Sequence, residues 1–259
     1  MMGWMALLSQ LSGATPDHIW KVSLVFLRVG AAMALLPAFG EQTLSARVRL
    51  VAALAFTAIV APAVFDSLPG AGSGDLRSAA IEVVVGLALG LGLRLSVLAM
   101  QIAGMIAAQA MSLSQLTADT GPEPMPAVSQ FLIVAILALA VGLGLHVRLA
   151  EFLVLSFQIV PSGSPIDSAV FAEWSLRETG RIFALAFVLA APFQVASLLY
   201  NLALGFISRA MPQLMVTMIG APVLAIGGFA LLALASPVLL AVWLKAFETS
   251  LAAPFQVAP

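Results

Sequence analysis

The sequence predicts an all-α, polytopic membrane protein with about six hydrophobic segments, built from kinked helices and helical hairpins. Three observations lead there. Of the 259 residues 62% are apolar and only 9% charged, against about 25% charged in soluble domains, so ionic groups cannot cover this surface. Mean hydropathy is +1.10, and windows free of Asp, Glu, Lys and Arg run over Leu50 to Phe65, Pro124 to Val147, Ile182 to Ser208 and Ala210 to Leu244. About 20 apolar residues in a helix cross the hydrocarbon core. Barrel strands would instead alternate in polarity.

Taken in order, the apolar maxima fall at 19–39, 48–65, 79–110, 128–159, 181–207 and 212–247. The opening stretch MMGWMALLSQLSG lacks a basic start and is broken by polar residues, so it is expected to belong to the mature chain rather than to a cleaved signal. Pro37 with Gly40, the glycines of GLALGLGLRL and Pro192 predict kinked or closely packed helices. The last apolar run would extend on the order of 50 Å as one helix. Pro212, Gly220, Pro222, Gly227, Gly228 and Pro237 therefore predict a hairpin that turns near IGAPVLAIGG.

The polar connections, 40–47, 66–78, 112–126 and 160–180, are all short, and the chain reads as a single helical unit, 1–259. Basic residues do not fix orientation: Arg77, Arg177, Arg181 and Lys245 face one side against Arg47, Arg49 and Arg209 on the other. GLGLR at 90–94 echoes GLGLH at 142–146, but the flanks do not extend it into a repeat.

Candidate chemistry is sparse. A net charge of −1 offers no footprint for nucleic acid, and the absence of cysteine excludes disulfides and thiolate sites. His18 and His146 have no partner at metal-ligand spacing, and Glu151 follows His146 by five residues. No nucleophile elbow occurs, and Gly86, Gly90 and Gly92 suit helix packing better than a phosphate loop. No catalytic, metal or cofactor site is expected. Arg28, Glu82, Arg94, Arg148, Glu151 and Arg209 lie in or beside apolar runs, where a charge costs about 2.5–3.5 kcal/mol. Either they line an ion or substrate path, or they pair with partner subunits or reach the interface. Arg148 and Glu151, spaced i, i+3, could pair on one helix face, which lowers their value as pathway markers.

The stretch Ser112 to Pro126 cannot be helical throughout, because Pro122, Pro124 and Pro126 force an extended path. It is either a surface connector or a loop projecting into a shared cavity. Met100, Met105, Met111 and Met125 flank it, either as a deformable seal or as ordinary packing. At this point a subunit of a complex and a small-solute secondary transporter, with a midplane site at broken helices and Arg28, Glu82 or Arg94 as its charged contact, stand level.

Four stretches carry a family resemblance over nearly the whole chain. They are FLRVGAAMALLPAFGEQTLSARVRLVAALAFTAIVAP at 26–62, EVVVGLALGLGLRLSVLAMQIAGMIAAQ from Glu82, QFLIVAILALAVGLGLHVRLAEFLVLSFQIVPSG from Gln130, and NLALGFISRAMPQLMVTMIGAPV at 201–223. The chain resembles the FliR family of flagellar type III export-gate membrane proteins, also represented in injectisomes. Arg209, Pro212, Gln213 and Gly220 match its most recognisable signature. The resemblance implies a non-enzymatic subunit of the bacterial inner membrane at the flagellar basal body. Its partners would be FliP-like, FliQ-like and FlhB-like subunits, lipid, and unfolded export substrates in transit. It further implies a plug within the pore, matching in position the stretch that holds Met111, Leu113, Leu116, Asp119, Gly121, Pro122, Pro124 and Met125. The segment TADTGPEPMP departs from the family in detail. Inter-subunit packing is the role implied for the signature residues.

Overall fold

The computed structural model describes residues 15–39, 44–70, 76–111, 126–164, 167–211, 216–252 and 254–255. These form seven α-helices: α1 Pro16–Leu35, α2 Ala46–Val64, α3 Leu76–Ala110, α4 Ala127–Gly142, α5 Leu145–Ile159, α6 Ser168–Ala210 and α7 Val216–Ala252. A 3-10 turn, Phe65–Ser67, follows α2. No strand occurs among the described residues. Among the described residues five helices are long and apolar enough to cross a membrane, and α4 with α5 makes a sixth if the bent pair counts as one span.

Local chemistry sets the starts. Thr15 caps α1, with Pro16 in the first turn where its missing N–H costs nothing and Asp17 facing the positive end of the helix. Ser45 caps α2 by accepting from the Val48 N–H. Asp167 accepts from the Ala169 N–H and starts α6 at Ser168, and Glu173 and Arg177 then pair one turn apart. Most of the expected 160–180 connection is therefore helix, because Asp167 bonds its first turn and a charged pair bridges its early turns, features that a count of apolar residues passes over.

Two other expectations are corrected. The run 128–159 is not one segment: it bends by 77° between α4 and α5. Gly144 sits at the bend with φ +82°, a left-handed conformation that a side chain would strain. Conversely, no hairpin forms near IGAPVLAIGG, because α7 runs unbroken from Val216 to Ala252. A proline inside a helix forfeits one hydrogen bond, whereas a reversal in apolar surroundings would leave several backbone groups unsatisfied, so continuity wins. In the same way α6 passes through Pro192 and α2 through Pro62.

The chain divides into two compact units. One comprises 1–94, 141–178 and 248–259, and the other 95–140 and 179–247. In the first, α2 packs on α1 and α5, around a core that includes Leu24, Val29, Met33, Phe56, Leu149 and Leu153. Gly86 and Gly90 let α3 meet the α1 backbone: an added Cβ would lie 2.2 Å from the Arg28 carbonyl oxygen and 2.5 Å from that of Ala32. In the second unit, Ala99 packs with Ile182 and Ala186, and the buried Trp243 indole donates to the Ser96 carbonyl at 2.7 Å.

Candidate functional site

Arg28 and Glu82 are the only charged side chains at 0% exposure among the described residues. A charge removed from water is tolerated only if it is paired and its remaining polar atoms are satisfied. Both conditions hold. Arg28 Nε donates to Glu82 Oε2 at 2.6 Å, Nη1 donates to the Ser156 carbonyl at 3.0 Å, and Nη2 donates to the Val160 carbonyl at 3.0 Å. The guanidinium also lies over the Phe157 ring, 3.8 Å from its centroid. The other Glu82 oxygen, Oε1, accepts from Ser162 Oγ at 2.7 Å and from the Gly163 N–H at 3.2 Å. Gly163 has φ +77°, a backbone geometry that favours glycine. This node joins α1, α3, the end of α5 and the turn after it. The pair therefore bonds internally, and neither charge is left to contact a solute.

The other expected charges separate. Arg148 does not pair with Glu151; its Nη1 reaches Glu248 Oε1 at 2.7 Å on the last turns of α7. Chain reversal supplies a carboxylate that i, i+3 spacing does not foretell. Arg94 is half-buried on α3, and Arg209 is exposed in the last turn of α6. His18 packs at a tilt against Phe65 with 4.9 Å between centroids, and among the described residues no three His, Asp or Glu side chains gather as a metal site.

Of the expected plug residues only Met111 is described. Leu113, Leu116, Asp119, Gly121, Pro122, Pro124 and Met125 lie outside the described residues, as do Pro212 and Gln213; Gly220 lies within α7. Met111 directly follows α3, and its N–H donates to the Ala107 carbonyl at 3.1 Å. Its side chain is 2% exposed. It fills a notch at Gly228, where a Cβ would stand 2.2 Å from its Sδ and 2.7 Å from its Cγ. Nearby, α3 and α4 touch at Gly104, whose added Cβ would come within 2.5 Å of Ser129 Cα. Ser129 Oγ donates to the Gln101 carbonyl at 3.0 Å. The two helices that flank residues 112–125 are thus joined by direct packing.

Sequence reasoning missed Ser156, Ser162 and Glu248 as partners of the charges. The residues they bond are 80 to 128 positions away in the chain, and single serines in apolar runs carry no signal of their own.

Long apolar helices, a buried ion pair saturated by its own chain, and broad exposed apolar faces define a polytopic helical membrane protein. The chain matches the family model of bacterial export proteins, family 1, over residues 19–250, and it belongs to that family. It is 34% identical over 235 residues to the flagellar biosynthetic protein FliR of Caulobacter vibrioides, covering 89% of this chain and 94% of the relative. The FliR proteins of Escherichia coli (31% identical; 82% of this chain, 83% of the relative) and Bacillus subtilis (28%; 88% and 90%) are similar along most of their length. The chain is accordingly a membrane export component rather than an enzyme.

Proposed function

We propose that this chain is the FliR-type subunit of a flagellar type III export gate. With FliP-like and FliQ-like subunits, and beside an FlhB-like protein, it forms the pore for unfolded substrates in the bacterial inner membrane at the flagellar basal body. The observation that carries this reading is the near-full-length similarity to proteins named for flagellar biosynthesis. The stretch 111–126 acts as a plug that blocks the lumen until the export apparatus engages substrate, so gating is physical and involves no covalent step. In support, Met111 is buried at the root of that stretch. The joined ends of α3 and α4 also give the stretch a fixed base. Arg209, Pro212, Gln213 and Gly220 serve inter-subunit packing, in keeping with Arg209 standing exposed at the end of α6.

Deleting residues 114–124 is expected to leave the complex intact on affinity purification while resting membranes leak ions. Unchanged conductance in an assembled deletion complex overturns the plug. In parallel preparations Arg209→Ala is expected to lower recovery of the complex. Full assembly with lost secretion would contradict the packing role.

A further inference from the structure

A groove of about 630 Å3 opens between α2, α5 and the end of α7, wholly within the first unit. Its walls are largely apolar, with Ile59 from α2 and Val154 and Leu155 from α5. Ile59 is 62% exposed. On α5 the buried face carries Leu149, Phe152, Leu153 and Ser156, and Glu151 stands on the opposite, open face. Arg148, the neighbour that would neutralise it, is held by Glu248 at 2.7 Å. Glu151 therefore has no ion pair of its own among the described residues, and Arg148, Glu151 and Glu248 together leave the groove one negative charge.

A carboxylate set among apolar side chains is stabilised most by a cation that arrives on an equally apolar body. Among membrane-spanning segments that body is a helix, because a helix satisfies its own backbone polar groups in apolar surroundings. We infer that this groove receives a helix of another membrane subunit, apolar except for a Lys or Arg that pairs with Glu151. The inference rests on the reading of the chain as one subunit of a larger gate, and it adds where one neighbour sits and what chemistry that neighbour carries.

The test places a photoreactive benzoylphenylalanine at position 155 in the complete complex in its native membrane, with position 59 as a second site should the first impair assembly. The expected adduct is to a transmembrane helix of another subunit, with a Lys or Arg within one turn of the captured residue. Glu151→Lys lowers the adduct yield by about tenfold or more, and reversing the partner's basic residue to Glu restores it. Adducts to lipid alone, to a second copy of this chain, or to a helix without a basic residue overturn the inference. If the complex purifies with all its subunits and neither site gives a protein adduct, the groove assignment fails while the gate reading stands. A chain that purifies alone overturns both.

Discussion

The Arg28–Glu82 pair shows how one residue's environment decides its meaning. Both side chains are fully buried, and each oxygen or nitrogen that faces the interior has a partner. Removing one member leaves the other charged and buried, which costs about 3–5 kcal/mol. Arg28→Ala is therefore expected to lower the amount of chain recovered from membranes and the thermal midpoint of the purified complex. The double change Arg28→Met with Glu82→Leu should recover a large part of that loss, since an apolar pair of similar bulk removes both desolvation penalties. A double variant no more stable than either single one would show that the serine and backbone contacts, rather than the charges, hold the node. From the sequence, both residues were visible as unusual charges in apolar runs. Their mutual pairing was not, because 54 positions separate them.

At the scale of elements, glycine spacing decides which helices meet closely. Gly86 and Gly90 are one turn apart on α3, and each lies where a Cβ would press on the α1 backbone. A carbonyl cannot move aside as a flexible side chain can, so Gly90→Ala must push α1 and α3 apart, costing about 1–3 kcal/mol. Gly180→Ala, whose new Cβ meets nothing within 4 Å, should be neutral or stabilising by about 0.5–1 kcal/mol. Thermal melts of the two complexes check the contrast, and equal midpoints would refute close packing at Gly90. The close-packing role was legible in the spacing of these glycines. Proline and glycine were poorer guides to where a helix stops. Gly144 ends a segment by taking a left-handed conformation, whereas Pro192 in α6 and Pro222 in α7 do not interrupt their helices. Composition alone does not separate the two cases, because the outcome depends on whether other groups satisfy the freed backbone.

At the scale of the whole molecule, the exposed surface is the part that requires partners. Along α6 the side chains of Phe183, Phe187, Val195, Leu198, Leu202 and Phe206 are each at least half exposed. Patches of that extent are found where lipid or other subunits cover them. Native mass spectrometry of the tagged chain, extracted in mild detergent from its own cells, is expected to find one copy held with several copies of two smaller helical proteins. A solitary chain, stable in detergent, would return the transporter reading to contention.

The sequence by itself determined that the protein is helical and membrane-bound, where its apolar segments centre, and which family it resembles. All of these rest on composition, period and local motif, which are properties of neighbours along the chain. Only the tertiary structure decided that Arg28 bonds Glu82, that Arg148 turns to Glu248 and leaves Glu151 facing a groove, and that Met111 seats against Gly228. The physical reason is the same in each case. Burial and charge pairing depend on groups brought together from distant positions, and the energy of such a contact is set by its surroundings rather than by its residue type.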